Sequence, residues 1–312
     1  MLKMVSIVLA AGLLVVGALQ PARAQDATRV RVALVPVAPA LGVWVAQDKG
    51  FFAGQHLDVV ITPMTTVALI PAVLGNQFDI GIATTVDLIK AAAGGMNVVA
   101  IAANHFETAQ ATTNALVVRK DSGLSSVKDL AGKTVAAPSI GAILQVATLH
   151  WLKKDGVDVK SVHFVEVPFP NMGDQMAAGR IDAAIAAEPF AGRMVAAGNM
   201  SLGNVLLQVA DPSLATLWMS DRDWAQANRP TIAKWTAALR QAAHFIVQEP
   251  KEARDILAKY TKLPAPVVEH LALPHFETKL QRSDLDPWIK VLNELGQVQG
   301  PIDSGALLAT AP

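Results

Sequence analysis

The sequence predicts an α/β protein built from two related units, each a mixed, mainly parallel sheet covered by helices. One segment, residues 71–85, returns in altered form at residues 174–188. Helix and strand patterns alternate along most of the chain, which is typical of parallel sheets. Beyond residue 229 the apolar residues follow helical spacing instead. Two sheet units followed by a helical C-terminal segment are therefore expected.

The two copies of the repeat align on Asp79 and Asp182. In each, an apolar helical turn precedes the aspartate, and small and β-branched residues typical of a buried parallel strand follow it. A polar residue, Thr85 or Glu188, comes directly after the strand. Ligands of open α/β sheets gather at such strand ends, so we expect two lobes facing one cleft. The alternative is that any two αβ units of a parallel sheet look alike.

The N-terminus has the pattern of a secretory signal peptide. Lys3 precedes an apolar run, Val5–Leu19, and Ala22-Arg23-Ala24 has the small-x-small form of a cleavage site. The run is short for a membrane span, which disfavours an uncleaved anchor. We expect residues 1–24 to be removed and the mature chain to begin near Gln25.

Composition narrows the class of protein. The chain has no cysteine, which excludes disulfides, thiolate metal sites, cysteine nucleophiles and a lipidated cysteine. Its 26 basic and 26 acidic residues form no long run of one sign, which disfavours a nucleic-acid partner. We expect an unlipidated periplasmic monomer with local binding chemistry.

The elements follow in order from the local patterns. In the first unit we expect strands at Val30–Val35, at residues 57–61, 79–83 and 97–103, and helices at Leu41–Lys49, near Pro71 and at Val86–Ala93. After a polar stretch at residues 104–114, strands are expected at Ala115–Arg119, Lys133–Ala137, His163–Val167, 182–187, Val205–Val209 and Thr216–Met219, with helices at 140–151 and in the second repeat before Asp182.

The C-terminal segment is predicted to be helical, with helices opened by Pro230, Pro250 and Asp286-Pro287. It cannot complete a third sheet, so we expect it to cover the first lobe. Lobe 1 would then be discontinuous, comprising residues 25–113 and 218–312, and lobe 2 would comprise residues 114–217.

Four motifs in order resemble one family. They are Lys49-Gly50-Phe51-Phe52 with Leu57 and Val59, Leu74-Gly-Asn-Gln-Phe-Asp-Ile-Gly81, Val127-Lys-Asp-Leu-Ala-Gly-Lys-Thr-Val-Ala136, and Glu188-Pro189-Phe190. Together they resemble the periplasmic solute-binding proteins of the nitrate/sulfonate/taurine class of ABC importers, a group that also binds thiamine-precursor pyrimidines. His56 and Asn76 stand where that family usually has glycine.

The resemblance implies a two-lobed, type II "Venus flytrap" fold whose hinge crossings lie near Thr112–Ala115 and Asp211–Leu217. Such proteins capture a small molecule between the lobes and deliver it to an inner-membrane permease powered by a cytoplasmic ATPase. They need no cofactor or metal and do no chemistry on the ligand.

Candidate ligand-binding residues stand at predicted strand ends and helix starts. Backbone N–H groups at a helix start attract anions and carbonyl oxygens, although capping is a competing role for Ser and Thr there. The candidates are Val37, Ala38, Thr65, Thr66, Thr84, Thr85, Asn104, His105, Ser139, Ile140, Gly141, Phe169, Asn171 and Glu188.

Among these candidates, Glu188 is expected to contribute most to ligand binding, because a carboxylate after a buried strand is costly unless it is paired. Its partner would be a ligand N–H group or, structurally, Arg193. No arginine is among these candidates, which disfavours a doubly charged oxyanion. A neutral or zwitterionic nitrogen compound and a monoanion such as a sulfonate both stay open.

Enzymes are the alternative class. The chain has no G-x-S-x-G elbow, no Gly-rich phosphate loop and no His-x-x-x-His metal motif. Two enzyme types share the fold implied by the resemblance. The thiamine-pyrimidine synthase uses a cysteine-rich motif absent from this sequence, and the menaquinone-pathway enzymes are cytoplasmic, which conflicts with the predicted signal peptide.

Overall fold

The computed structural model describes residues 27–64, 69–269 and 271–309. The predicted signal peptide and the expected mature terminus at Gln25 lie outside these residues. The strands are β1 (Thr28–Leu34), β2 (Leu57–Pro63), β3 (Ile80–Thr84), β4 (Val98–Glu107), β5 (Asn114–Val118), β6 (Thr134–Ala137), β7 (His163–Glu166), β8 (Ala183–Ala187), β9 (Met200–Gly203), β10 (Ser213–Asp221) and β11 (His275–Phe276).

The strands form two mixed sheets, as predicted. The first has the order β11-β4-β10-β3-β1-β2 and the second β7-β6-β8-β5-β9. In the first, β1 to β4 run in one direction, because β1 is parallel to β2 and β3 while β10 is antiparallel to β3 and β4. In the second, β6 is parallel to β7 and β8, and β5 is antiparallel to β8 and β9. In the first sheet four of the six strands thus share one direction, and β10 and β11 oppose them. In the second sheet four of the five strands share one direction, and β5 opposes them.

The repeat has a structural explanation. The Asp79 carboxylate accepts the backbone N–H of Arg31 at 2.7 Å and its guanidinium at 2.6 Å. The Asp182 carboxylate accepts the backbone N–H of Thr134 at 2.9 Å. In both units the aspartate thus connects the start of the repeat strand to the neighbouring parallel strand. Asn76 and Gly179, at equivalent positions, both have the positive φ expected of a helix end, 57° and 69°.

The helices cover both sheets. They are α1 (Leu41–Asp48), α2 (Phe51–Gly54), α3 (Leu69–Leu74), α4 (Thr85–Ala93), α5 (Ile143–Lys154), α6 (Phe169–Ala177), α7 (Phe190–Ala196), α8 (Arg222–Ala227), α9 (Arg229–Gln248), α10 (Pro250–Thr261), α11 (Ala265–Glu269) and α12 (Arg282–Glu294). None of the described helices is both long and apolar enough to cross a membrane.

Aromatic contacts fix the C-terminal helices on the first sheet. Trp235 of α9 stacks on Phe52 at 4.9 Å and meets Trp218 of β10 edge-on at 5.2 Å. Trp44 of α1 stacks on Tyr260 of α10 at 5.1 Å. The helical segment therefore returns to the N-terminal sheet, as its pattern predicts, while the exact lobe boundaries stay a prediction.

Several element predictions are wrong. Residues 205–209 contain a 3-10 turn (Leu206–Gln208) instead of a strand, and β9 and β11 are strands that the pattern does not indicate. The predicted polar connection at 104–114 is partly strand, because β4 continues to Glu107. The last helix begins at Arg282, where Gln281 and Asp284 cap it reciprocally, and it carries Pro287 inside.

Candidate functional site

A cavity of about 170 Å³ lies where strand ends of both sheets meet. The residues that line it from the first sheet include Val35, which follows β1, and Thr84, which ends β3. Residues at the ends of β6 and β8, including Pro138 and Ala187, line it from the second. This arrangement matches the cleft expected from the repeat, since ligands bind at such strand ends.

The cavity walls are mainly apolar, with a few polar groups. The apolar side chains come from both sheets and include Val35, Val37, Leu69, Ile70, Ile82, Ile143, Leu144, Phe169 and Leu206. The polar lining residues are Thr84, Asp87, His105, Glu107, Thr113, Asn114, Ser139 and Thr216. The lining found within the described part of the chain contains two carboxylates and neither lysine nor arginine.

Glu107 connects the two sheets at one end of the cavity. It ends β4, is fully buried, and accepts the Thr113 backbone N–H at 2.9 Å as well as the Thr113 hydroxyl. The side-chain amide of Asn204 is a further donor. Burial raises the pKa of Glu107, while these donors oppose that shift. Its carboxylate is thus occupied by groups from the chain of the second sheet.

His105 lies beside this carboxylate. Its Nε2 is 3.5 Å from a Glu107 oxygen and 3.5 Å from the Thr113 hydroxyl. Burial lowers the pKa of His105 to about 3, and nearby His275 adds to the shift. The imidazole is therefore neutral near pH 7, and its contact with Glu107 is not an ion pair. Its Nδ1 has no hydrogen-bond partner in the described structure.

Asp87 lies in the first turn of α4, half-buried in the cavity wall. Thr84 caps this helix, because its hydroxyl accepts the Asp87 N–H at 3.1 Å and donates to the Asp87 carboxylate at 2.7 Å. Burial raises the pKa of Asp87, opposed by the Thr84 hydrogen bond and the charge of Lys90. A partly desolvated carboxylate with a single hydroxyl donor therefore faces the cavity.

Lys90, one turn further along α4, contacts the second unit. Its ammonium donates to the Gly141 carbonyl at 3.1 Å and to the Gln297 side-chain oxygen at 3.0 Å. Gly141 has φ +80°, and a Cβ there would lie 3.1 Å from the ammonium. The loop before α5 is thus connected directly to a helix of the first unit, at the edge of the cavity.

Five of the residues predicted from the sequence line the cavity: Val37, Thr84, His105, Ser139 and Phe169. Their contact with a ligand stays a prediction. Seven others do not line it: Ala38, Thr85, Asn104, Ile140, Gly141, Asn171 and Glu188. Thr65 and Thr66 lie outside the described residues.

Two of the polar residues that do not line the cavity form hydrogen bonds with other parts of the protein. Thr85 is buried and donates its hydroxyl to the Leu214 carbonyl at 2.7 Å. Asn104 donates to the Pro39 carbonyl at 2.9 Å and accepts the Trp218 indole N–H at 3.1 Å. These side chains hold elements of the first sheet together.

At the expected anion site before α5, two of the backbone N–H groups have protein partners, and ligand contact there stays a prediction. The helix begins at Ile143, three residues later than the spacing indicates. The Ile140 N–H donates to the Glu166 carboxylate at 3.1 Å, and the Gly141 N–H donates to the Gln145 side chain at 2.6 Å. These two donors are therefore already satisfied by side chains of the second unit.

Glu188 has a backbone partner and not Arg193, while its contact with a ligand stays a prediction. Its carboxylate accepts the Gly192 N–H at 3.0 Å in the first turn of α7, and burial raises its pKa. The Arg193 guanidinium lies over the Phe190 ring, 5.8 Å from its centroid. Within the described chain Glu188 has no ion pair with Arg193. The residue acts as a helix cap beside the cavity.

Replacing Glu188 by alanine is expected to lower the free energy of unfolding by about 1 kcal/mol, the usual effect of losing a helix cap. Glu188→Gln is the matched control, because its amide oxygen can still accept the Gly192 N–H. Urea unfolding of both variants measures the difference. Equal losses in the two variants would contradict the capping role.

Sequence reasoning missed five polar residues of the cavity: Asp87, Glu107, Thr113, Asn114 and Thr216. Asp87 had a local signal, since Thr84 and Asp87 have the spacing of a capping box directly after the repeat strand. Glu107 and Thr113 had none, because a polar stretch without periodicity gives no indication of which side chains are buried.

Solved structures show the class of fold. The aliphatic sulphonate binding protein SsuA of Escherichia coli superposes with a TM-score of 0.77 at 16% identity, covering 90% of this chain and 97% of that one. The nitrate-binding protein NrtA of Synechocystis superposes with a TM-score of 0.77 at 15% identity, and the match covers 92% of this chain and 86% of that one. The alkanesulfonate-binding protein SsuA of Xanthomonas axonopodis bound to MOPS superposes with a TM-score of 0.76 at 18% identity, and the match covers 91% of this chain and 99% of that one. The chain has their two-lobed periplasmic-binding-protein fold, as predicted.

The sequence comparison gives the family. Residues 39–253 match the NMT1/THI5-like family, and the chain belongs to it. A protein of Brachyspira hyodysenteriae described as an ABC transporter periplasmic binding protein is 30% identical over 134 residues, which is 43% of this chain. This alignment spans 38% of that relative's length. The resemblance read from the four motifs is confirmed as to family and fold.

Proposed function

We propose that this protein is the substrate-binding component of an ABC importer. It captures a small organic solute in the cavity between the two sheets, in the periplasm, and delivers it to an inner-membrane permease with its cytoplasmic ATPase. The observation that carries the proposal is a mainly apolar cavity lined by strand ends of both sheets. The family match and the fold of its structural neighbours support it.

The connections between the sheets fit a protein that opens and closes. Thr113 and Asn114 lie where the chain enters the second sheet, and Ala215 and Thr216 lie where it returns to the first. All four line the cavity, so a ligand there would contact both crossings. We propose that these crossings form the hinge between the two predicted lobes.

The alternative of an enzyme of thiamine-pyrimidine or menaquinone synthesis with the same fold is not favoured. The pyrimidine synthase uses a cysteine-rich motif, whereas this chain has no cysteine. The fold neighbours cited above are described as binding proteins.

A thermal-shift screen of small nitrogen and sulfur compounds, followed by calorimetry, tests the proposal. A true ligand should stabilise the fold by about 4 kcal/mol at a thousandfold excess over its Kd. The ligand should be recovered unchanged after prolonged incubation. A chemically altered compound, or no stabilising compound in the whole screen, would contradict the proposal.

A further inference from the structure

We infer that the solute is a small organic monocation, a protonated amine or amidinium on an apolar body, and that Asp87 is its counter-charge. This inference rests on the proposed function and names its substrate class. It follows from the charges on the cavity wall, from the partners that each charge already has, and from the apolar character of the remaining lining.

The charges on the wall favour a cation. The two charged lining residues of the described structure are Asp87 and Glu107, both carboxylates. Residues 65–68, outside the described part, are Thr, Thr, Val and Ala and add no charge. An anionic solute in this cavity would face carboxylates at short range in surroundings that screen charge poorly.

Only one of the two carboxylates is available to a ligand. Glu107 is fully buried and already accepts hydrogen bonds from Thr113 and Asn204. Asp87 accepts from the Thr84 hydroxyl, and no cationic side chain of the described chain lies within 4.0 Å of it. A partly buried carboxylate is costly to leave unpaired. A ligand ammonium would provide the missing partner.

Lys90 is the cation nearest to Asp87 in the sequence, and it does not take this role. Its ammonium donates to two neutral oxygens, the Gly141 carbonyl and the Gln297 side chain. It does not line the cavity. Lys90 therefore holds the loop of the second unit, and the Asp87 carboxylate is left for the solute.

The rest of the lining suits an apolar body. Phe169 lines the cavity and is held by a parallel stack on Phe190, with centroids 5.7 Å apart and planes at 9°. Aromatic faces attract organic cations, and apolar walls favour a hydrocarbon group through burial of its surface. A cavity of about 170 Å³ limits the solute to a small molecule.

Three probes of similar shape test the charge preference: benzylamine, benzyl alcohol and benzenesulfonate. Binding to the wild type is measured by calorimetry or ligand-observed NMR. Benzylamine is expected to bind at least tenfold more tightly than benzyl alcohol, and benzenesulfonate most weakly. Asp87→Asn should weaken benzylamine binding at least tenfold more than it weakens benzyl alcohol binding, and Thr84 can still cap the helix through the residue 87 N–H.

The control is Asp58→Asn, which removes the same charge at an exposed position of β2 and should leave all three affinities unchanged. If Asp87→Asn does not fold, the ranking of the probes on the wild type decides alone. Tightest binding of benzenesulfonate, or an unchanged benzylamine preference in Asp87→Asn, overturns the inference and leaves the proposed function standing. Failure of all three probes and of the whole screen overturns both.

Discussion

Replacing Glu107 by alanine is expected to lower the free energy of unfolding by about 3 kcal/mol, because buried donors lose their acceptor. These donors are the Thr113 backbone N–H and the Asn204 amide, which come from the chain of the second sheet, whereas Glu107 ends a strand of the first. Urea unfolding followed by circular dichroism measures the change. Glu269→Ala, at an exposed position of α11, is the control and should change stability by less than about 0.5 kcal/mol.

The effect of Glu107 should depend on pH in a defined direction. Burial raises its pKa above the ordinary value of 4.5, so the folded protein keeps a proton that the unfolded chain releases. The contribution of this group to stability is fully present below pH 4.5 and is lost as pH rises through the raised pKa. The difference between wild type and Glu107→Ala should therefore be larger near pH 4.5 than near pH 7.5. A difference that grows with pH would contradict this assignment.

The fold was predictable where local patterns reflect burial. The repeat around Asp79 and Asp182 predicted two related units, because a buried parallel strand requires a run of small and β-branched residues wherever it occurs. The same pattern located the strand ends that line the cavity. Asn76 and Gly179 were predictable in the same way, since few residues adopt a positive φ at low cost.

The polar end of the cavity was only partly predictable from local patterns. Asn104 and His105 were expected at a strand end, but the strand continues past them to Glu107, which read as part of a connection because a strand interior is normally apolar. Their partners Pro39, Thr113 and Asn204 are distributed along the chain, and only the folded topology brings them together. Asp87 was different, since its capping relation to Thr84 is local and was visible in the sequence.

Replacing Trp218 by alanine is expected to lower the free energy of unfolding by about 4 kcal/mol, the usual cost of deleting a buried tryptophan. Trp218 lies on β10 in the interior of the first sheet, is fully buried, and contacts Trp235 edge-on. Its indole N–H donates to the Asn104 side-chain oxygen. The Asn104 amide in turn donates to the hydroxyl of Thr216, a residue that lines the cavity, at 3.0 Å. The loss should therefore contain a packing part and a hydrogen-bond part.

Phenylalanine variants separate these two parts. Trp218→Phe keeps an aromatic ring but leaves the Asn104 oxygen without its donor, whereas the Trp235 indole N–H has no hydrogen-bond partner in the described structure. Trp218→Phe should therefore cost more than Trp235→Phe by about 1–2 kcal/mol, the cost of an unsatisfied buried acceptor. Both rings are fully buried in the same aromatic cluster, so the lost packing volume is matched. Equal losses in urea unfolding would show that the Asn104 hydrogen bond does not contribute to stability and that Trp218 acts through packing alone.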